Sequence, residues 1–390
     1  MFDKRLLSKI NRRNLLAVAS MAVLAGCAVV PKTTAPTPEP PAPKPAPSVI
    51  PTDTAHHRVA LLVPTTGDNG AVGQSIANAA TMALLDTNAS NLRITTYDTS
   101  AGAGEAASKA LADGNRLILG PLLSDDIAPV SAVAKRANVP LISFSNDEKA
   151  AAKNVFVMGN LPGQSVTRTV KYAKAQGITT FAALVPRGDY GERTSSALLQ
   201  AVRDSGGAVI AMEPYDRSAA SIAAAAQRIK AKDGYSALLI ADSGSLSARA
   251  ATAFRNGSTN VDVRFLGTEL WGGEKQLSAT PALAGAWFST VSDQRFMQFA
   301  KSYKGRFGNQ PFRIATLGYD AVLLTLRVAR DWKENAPFPT ASLTSPDGFL
   351  GLDGPFRFTQ NGAVERALEV REVQPGSVRV VNPAPMRFTK

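Results

Sequence analysis

The chain contains 390 residues, of which 45% are hydrophobic and 19% are charged, a balance typical of a globular protein with a large apolar core. Its single cysteine excludes an intramolecular disulfide and a cysteine-cluster metal site, and the length suggests about two domains. The formal net charge is +12, but no run of lysine and arginine interleaved with aromatic residues is present, so we predict no nucleic-acid partner. The basic surplus either attracts acidic partners or is simply solvated.

The amino-terminal segment has the organisation of an export signal. The basic stretch MFDKRLLSKINRRN precedes the apolar stretch LLAVASMAVLA, which has 11 residues. A helix of this length is too short to cross the roughly 30 Å of a bilayer's hydrocarbon core, but it matches the apolar region of a signal peptide. We therefore predict a signal peptide over residues 1–26. Arg12 and Arg13 fit a twin-arginine export signal and an ordinary basic segment equally well.

The only cysteine follows this apolar stretch directly. The segment Leu24-Ala25-Gly26-Cys27 resembles a bacterial lipobox. The resemblance implies lipid attachment at Cys27 and association with a membrane through this anchor. An ordinary secretion signal with a chance cysteine is the alternative. Ala28 stands where an aspartate would favour the inner membrane, so similarity to enterobacterial sorting signals favours the periplasmic side of a Gram-negative outer membrane.

A proline-rich segment separates the cysteine from the rest of the chain. Residues 31–51 contain nine prolines and almost no large apolar side chains. Such a composition cannot form a core and favours extended polyproline II, which at about 3.1 Å per residue reaches on the order of 60 Å. We predict that residues 27–57 form an acylated tether. A proline-rich recognition motif is the alternative.

From residue 58 onward the pattern is that of an α/β protein. Apolar runs predict strands at residues 58–64, 92–98, 116–121, 139–144, 180–186, 208–215, 236–242, 264–268 and 286–290. Helical spacing between these runs, as at Val72, Ile76, Ala79 and Ala83, predicts parallel sheets covered by helices on both faces. Residues 354–381 alternate polar and apolar around turn signals, which predicts antiparallel hairpins.

The residue types that remain argue against an enzyme. No histidine or cysteine occurs after residue 57, which excludes a Ser-His-Asp or Cys-His triad and a histidine-based metal site in this region. The acidic pairs Asp125-Asp126 and Asp147-Glu148 are neighbours in sequence and do not face each other on a helix. Glycosidase chemistry with distant carboxylates stays open. We predict no enzymatic activity, no cofactor and no metal.

The order of motifs resembles type I periplasmic binding proteins of the leucine/isoleucine/valine-binding family. The motifs are LLVPTTGDNGAVGQSIANAATMAL, LILGPLLSDDIAPVSAVAKRANVPLISFSND, LVPRGDYGERTSSALLQAVRDSGGAVI, FLGTELW and FGNQPFRIATLGYDAVLL. The resemblance implies a bilobal domain over residues 58–381 with three crossovers, near residues 160, 292 and 346. Lobe one is expected at about 58–159 and 292–345, and lobe two at about 160–291 and 346–381.

Two motifs are similar to a particular group within this family. PLISFSND and GLDGPFRFTQNG…ERALEV resemble penicillin-binding-protein activators, lipoproteins that bind peptidoglycan synthases. This resemblance favours a non-enzymatic envelope lipoprotein that modulates peptidoglycan synthesis by contact with such a synthase. The best-studied activators carry a helical-repeat domain before this fold, where this chain has a proline-rich tether. The alternative is a substrate-binding lipoprotein that delivers an amino acid or related small polar metabolite to an ABC permease.

The resemblance also implies ligand-binding residues at the rim of lobe one. Ser124 matches the serine that binds the ligand carboxylate, and Ser145 falls where a backbone contact is expected. Asp147 stands where the family has a hydroxyl residue. An acid there repels a ligand carboxylate but suits a ligand ammonium group. The alternative for Ser124 is a helix cap.

Further candidates lie in lobe two. By resemblance, Tyr190 packs against the ligand and Glu269 accepts its ammonium group. Asp242 and Ser243 end a strand at the rim, and Trp271 is placed to cover an apolar ligand side chain. The alternatives are a tyrosine packed at a turn, an acid in a solvated loop and a tryptophan buried in the core.

Overall fold

The computed structural model describes residues 56–257, 262–333 and 336–388. The predicted signal peptide, Cys27 and nearly all of the predicted tether therefore lie outside the described residues. The folded body begins slightly earlier than expected, because His57 opens the first strand and its ring stacks on Trp332 with a centroid distance of 4.2 Å.

The described residues contain fifteen strands and ten helices. The strands are β1 (His57–Val63), β2 (Leu92–Asp98), β3 (Leu117–Leu119), β4 (Leu141–Ser143), β5 (Val155–Val157), β6 (Thr180–Pro186), β7 (Ala208–Tyr215), β8 (Ala237–Ile240), β9 (Arg264–Gly267), β10 (Trp287–Thr290), β11 (Phe349–Gly351), β12 (Gly354–Phe358), β13 (Val364–Arg366), β14 (Glu369–Gln374) and β15 (Ser377–Asn382). The helices are α1 (Gly70–Thr87), α2 (Ala103–Ala112), α3 (Ile127–Arg136), α4 (Pro162–Ala175), α5 (Asp189–Asp204), α6 (Ala219–Lys230), α7 (Gly244–Arg255), α8 (Lys275–Ser278), α9 (Gln294–Phe307) and α10 (Thr316–Ala329).

Lobe one is built on a parallel sheet with the strand order β2-β1-β3-β4-β5. The strands inside this sheet are buried, as residues 59–63 of β1 and all of β3 and β4 show, whereas the edge strand β2 keeps exposed positions. Helices α1 and α10 share one core with one face of the sheet, and α2 and α3 share a second core with the other face. Burial on both faces explains why these strands read as continuous apolar runs in the sequence.

Lobe two contains a sheet with the order β15-β14-β10-β9-β8-β6-β7. The five strands from β10 to β7 are parallel, and β14 and β15 extend the sheet as an antiparallel hairpin. Apolar side chains of α4 and α5 form a core on one face, and those of α6 and α7 form a core on the other. The predicted two-lobed α/β architecture is therefore present.

The third passage between the lobes lies later than predicted. Strands β11, β12 and β13 form a separate antiparallel sheet, and Ala363 pairs with Val157 at the edge of lobe one. The apolar side chains of this sheet, including Phe356 and Phe358, belong to the core of lobe one. The expectation that residues 346–366 lie in lobe two is therefore wrong. The chain passes between the lobes at residues 158–161, 291–293 and 367–368, and we call these segments the first, second and third crossovers.

Close packing at the start of α5 requires a glycine. A Cβ atom on Gly191 would lie 1.6 Å from the carbonyl oxygen of Pro186, the last residue of β6. The contact brings the first turn of α5, including Tyr190, directly against the end of that strand. A side chain at residue 191 would force this turn away from the strand.

We expect Gly191→Ala to lower the free energy of unfolding by about 1–3 kcal/mol, because the added methyl group overlaps the backbone. Gly305 provides a matched control, since it lies in α9 and a Cβ there meets nothing within 4 Å. Gly305→Ala should stabilise the protein by about 0.5–1 kcal/mol through helix propensity. Urea unfolding of both variants tests the pair. Equal effects would show that the overlap at Gly191 is relieved without cost.

Two further observations concern the described part of the chain. None of its helices has the length and apolar character needed to cross a bilayer. Within residues 56–257, 262–333 and 336–388, no three His, Cys, Asp or Glu side chains come together as metal ligands.

Candidate functional site

The candidate site lies where the strands of both parallel sheets end. The carboxyl ends of β3 and β4 in lobe one lead into the segments that carry Ser124, Ser145 and Asp147. In lobe two, the ends of β6, β8 and β9 precede the remaining candidates. Open α/β sheets bind ligands beyond the carboxyl ends of their strands, so the topology places all the predicted residues at the edges of the sheets where a ligand would bind.

Two of the lobe-one residues organise their own loop. Ser145 is buried, and its hydroxyl accepts a hydrogen bond from the backbone N–H of Asp147 at 3.1 Å. Its carbonyl accepts from the N–H of Gly159 at 3.1 Å, next to the first crossover. Ser124 is partly exposed, and its hydroxyl lies 3.5 Å from Asp125 Oδ1. Its carbonyl accepts a hydrogen bond from the backbone N–H of Ile127. Among the described residues, no hydrogen bond joins Ser124 to the other candidates.

Asp147 meets a cation that belongs to the protein itself. Its carboxylate lies 3.6 Å from the guanidinium of Arg193, which comes from α5 in the opposite lobe. Arg193 also donates to Asn146 Oδ1 at 2.9 Å and lies 3.6 Å from Asp189. The acid that the sequence suggested for a ligand ammonium group is therefore used, in this structure, to tie the two lobes together.

A double-mutant cycle measures this bridge. We expect Arg193→Ala to lower the free energy of unfolding by about 1 kcal/mol, the upper end for a partly exposed ion pair. Combining it with Asp147→Ala should add less than the sum of the single changes, as expected for side chains in contact. Arg203→Ala, at an exposed position of the same helix, serves as the control. Strict additivity of Arg193→Ala and Asp147→Ala would contradict a stabilising bridge.

Tyr190 and Glu269 form the connected core of the site. The Tyr190 hydroxyl donates to Glu269 Oε1 at 3.0 Å, and its oxygen lies 2.8 Å from the Thr268 hydroxyl. Burial, together with the nearby Glu269 charge, holds the pKa of Tyr190 well above its usual value, so the phenol stays a donor. Burial also raises the pKa of Glu269 to about 7. The structure therefore brings two of the residues predicted from the sequence into direct contact.

Asp242 and Ser243 are held by residues of their own lobe. The Asp242 carboxylate is buried and accepts from Tyr215 at 2.9 Å, from Arg217 at 3.0 Å and from the N–H of Ser243 at 2.8 Å. The Ser243 hydroxyl lies 3.3 Å from that of Ser245. With its acceptor capacity largely used, Asp242 acts as a structural anchor at the end of β8.

Trp271 is a core residue. Its side chain has no exposed surface, and its indole N–H is shared between the carbonyl of Asp242 (3.2 Å) and the hydroxyl of Ser247 (3.0 Å). Its ring centroid lies 5.6 Å from that of Phe288. The prediction that Trp271 covers a ligand side chain is therefore wrong for this conformation, because a short 3-10 helix turns the indole inward beneath Glu269.

A small cavity lies beside Glu269 at the junction of the lobes. All three crossovers border it, and its volume is about 10 Å³. It is lined by Asn160, Leu161, Gln164, Glu269, Thr290, Val291, Arg366 and Leu368. This volume matches about one water molecule, so a larger ligand enters only if the lobes move apart.

Several buried polar atoms around this cavity have no hydrogen-bond partner. They are Glu269 Oε2, Asn160 Oδ1, and Nε and Nη1 of Arg366. Buried polar groups are normally satisfied, so a cavity lined by unsatisfied donors and acceptors marks a place where polar atoms of a ligand or water fit. Asn160 and Arg366 were not predicted. The one sequence feature that could have indicated a buried role for Arg366 was its place in a strand of alternating polar and apolar residues, on the same face as buried Val364.

Comparison with known proteins identifies the family. The family model described as periplasmic binding protein matches residues 57–377. The chain belongs to the periplasmic binding protein family. This membership confirms the resemblance predicted from the motifs and implies a periplasmic location.

Solved structures of periplasmic binding proteins share the fold of this chain. A putative branched-chain amino acid ABC transporter protein from Rhodospirillum rubrum is 22% identical, with a TM-score of 0.72 and coverage of 84% of this chain and 100% of that chain. The leucine-binding protein LivK from Thermotoga maritima is 19% identical, with a TM-score of 0.63 and coverage of 84% and 98%. A solute-binding protein of an ABC transporter from Rhodopseudomonas palustris, in complex with 3,4-dihydroxybenzoic acid, is 17% identical, with a TM-score of 0.65 and coverage of 85% and 97%.

One curated relative is more similar in sequence over a shorter region. An uncharacterized protein of Rickettsia prowazekii is 27% identical over 176 residues, which represent 44% of this chain and 46% of that protein. The matched region therefore covers less than half of the length of the Rickettsia protein.

Proposed function

We propose that this periplasmic binding protein is a solute receptor that holds an amine-bearing small molecule, such as an amino acid, and presents it to an ABC permease. The observation that carries the proposal is Glu269 Oε2, a buried acceptor without a partner at the junction of the lobes. An ammonium group supplies the donors that this oxygen lacks. Solute-binding proteins of ABC transporters with the same fold, including the leucine-binding protein of Thermotoga maritima, support the assignment.

Binding in this receptor requires opening and closing of the two lobes. The cavity beside Glu269 holds about one water molecule, and residues of all three crossovers contribute to its lining. Crossovers of a few residues are suited to act as hinges. In the proposed cycle the lobes open, the amine enters beside Glu269, and the Asp147–Arg193 bridge re-forms on closure.

A ligand screen tests this proposal. We expect at least one amino acid or simple amine to raise the melting temperature of the wild-type protein, since a ligand at 100 times its Kd adds about 2.7 kcal/mol. The increase should disappear in Glu269→Gln and persist in Glu105→Gln, which removes an exposed carboxylate from α2. If the ligand still raised the melting temperature of Glu269→Gln, it would have to bind away from this acid. If no compound raised the melting temperature of the wild-type protein, the screen would oppose the receptor function.

The second candidate is activation of a peptidoglycan synthase by protein contact, without enzymatic activity. Its support is the Asp147–Arg193 bridge, which fills the opening between the lobes with the protein's own side chains, and the buried partners of Asp242. The comparisons support the receptor better. Pull-down with a purified penicillin-binding protein separates the candidates, since an activator binds it with or without amino acids and a receptor does not.

We propose further that an acyl group on Cys27 and the proline-rich tether hold the domain at a membrane, with Ala28 favouring the outer one. The support is the sequence alone, because these residues lie outside the described part. Radiolabelled palmitate should enter the wild-type protein and not Cys27→Ser, and fractionation of labelled cells should place it with outer-membrane markers. Equal labelling of both proteins would contradict the anchor, and inner-membrane recovery would contradict the sorting assignment.

A further inference from the structure

A chain of alternating charges connects the two lobes at the hinge. Its central member is Asp293, the last residue of the second crossover. The Asp293 carboxylate lies between Arg371, a cation of lobe two, and Arg313, a cation of lobe one. None of these three side chains lines the cavity beside Glu269. These charges therefore belong to the hinge and lie outside the proposed binding site.

The lobe-two arm of this network is almost completely buried. Arg371 lies on β14, its side chain is 9% exposed, and its Nη1 pairs with Asp293 Oδ2. Its Nε donates to Glu369 Oε1 at 2.7 Å, and its Nη2 donates to the carbonyl of Val291 at 3.2 Å. Glu369 directly follows the third crossover, so a single guanidinium ties the second crossover to the third.

The lobe-one arm is incomplete. Arg313 Nε lies 3.7 Å from Asp293 Oδ1, an ion pair beyond hydrogen-bond distance. Asp293 Oδ1 and Arg313 Nη2 are both buried and have no hydrogen-bond partner. On its other side, Arg313 Nη1 donates to Asp353 Oδ1 at 2.7 Å, and the Thr316 hydroxyl donates to Asp353 Oδ2 at 2.9 Å. Arg313 is thus fixed within lobe one, whereas its contact with Asp293 lacks a hydrogen bond.

The unsatisfied atoms give this contact a dependence on the lobe angle. A buried donor and a buried acceptor without partners raise the free energy of the present arrangement, because both have lost water without gaining a protein partner. A rotation of lobe one about the second crossover that brings Arg313 closer to Asp293 would remove this penalty. A group whose interactions differ between two arrangements shifts the balance between them.

We propose that Asp293 is an ionic pivot that sets the angle between the lobes. It stays paired with Arg371 of lobe two and completes its hydrogen bond with Arg313 in a second lobe arrangement. Each cation also keeps one acid of its own lobe, so loss of the Asp293 charge leaves two separate ion pairs and removes the connection between them. The proposal rests on the lobe motion of the proposed receptor and adds the group that controls it.

Distances between two nitroxide labels, measured by double electron–electron resonance on the full chain, test the pivot without any ligand. Cys27→Ser removes the only native cysteine, and Lys109→Cys on α2 and Ala224→Cys on α6 place one exposed label on each lobe. We expect Asp293→Asn to broaden the interlobe distances or add a second distance, through a severalfold change in the ratio of lobe arrangements. Asp204→Asn, the same charge loss at an exposed position of α5, should match the labelled background protein.

A second variant keeps the test sharp if Asp293→Asn does not fold. Arg313→Gln interrupts only the lobe-one arm and should broaden the distances as well. Background distances in the folded variant, or equal broadening by Asp293→Asn and Asp204→Asn, would overturn the proposal. Urea unfolding gives a separate readout, and lost stability with background distances would also overturn it, because the network would then support the fold without setting the angle. None of these outcomes bears on amine binding at Glu269, which the ligand screen measures.

Discussion

Replacing Trp271 by alanine is expected to lower the free energy of unfolding by about 3–5 kcal/mol, the range for removing a large aromatic side chain from a packed core. The indole has no exposed surface. The space for it exists because residue 267 is a glycine, where a Cβ would lie 2.2 Å from the indole ring.

Two control variants separate the contributions to this loss. Trp271→Phe keeps an aromatic ring and loses the hydrogen bonds to Asp242 and Ser247, so we expect a smaller loss of about 1–2 kcal/mol. Leu270→Ala, at the partly exposed neighbouring position, should cost less than about 1 kcal/mol. Urea unfolding monitored by far-ultraviolet circular dichroism measures all three. If Trp271→Ala kept wild-type stability but lost affinity for the ligand, the result would support the prediction from the sequence that Trp271 covers a ligand side chain.

The strands show how much of the fold follows from the sequence. The sequence predicted β2, β6 and β7 with the bounds observed. The central strand β6 is buried along nearly its whole length and therefore forms a continuous apolar run, whereas β2 and β7 lie at sheet edges and keep exposed positions. The short strand β5 escaped prediction, since three buried residues carry no periodicity. The third crossover was misplaced for a different reason. Alternation identifies a hairpin but does not reveal against which lobe its apolar face packs.

The site was less predictable than the fold. The sequence places Tyr190, Asp242 and Glu269 at strand ends, yet it does not show which of these side chains the protein satisfies internally. Asp242 forms an ion pair with Arg217 and accepts a hydrogen bond from Tyr215, whereas Glu269 keeps one oxygen without a partner. The contribution of Arg366 depends on the third crossover, so it could not be inferred while that crossover was misplaced. The roles of these residues toward a ligand remain predictions.

The pH dependence of stability offers a direct test of Glu269. Its pKa is raised from an ordinary 4.5 to about 7 because burial penalises the carboxylate. Below pH 4.5 the carboxyl is protonated in the folded and unfolded states alike, and its contribution to stability is fully present. Between pH 4.5 and 7 the unfolded state loses the proton first, so the free energy of unfolding falls by about 3 kcal/mol as the pH rises through this window.

Glu269→Gln should remove this fall, because the amide keeps the shape of the side chain and does not titrate. Asp320, whose pKa is also raised to about 7 by burial, contributes a fall of the same sign, so the quantity to measure is the difference between wild type and Glu269→Gln. Urea unfolding at pH 4.5, 5.5, 6.5 and 7.5 provides it, with Glu105→Gln as the control that should follow the wild type. A wild-type profile in Glu269→Gln would mean that this carboxyl ionises normally.

The same shift predicts how an amine ligand binds. An ammonium group beside Glu269 stabilises the carboxylate, so binding below pH 7 must release the proton that the free protein holds. The affinity of the receptor for its amine should therefore rise by up to tenfold per pH unit between about pH 5 and 7 and level off above pH 7. Isothermal titration calorimetry in buffers of different ionisation enthalpy would detect the released proton. Affinity independent of pH over this range would show that the amine binds away from Glu269.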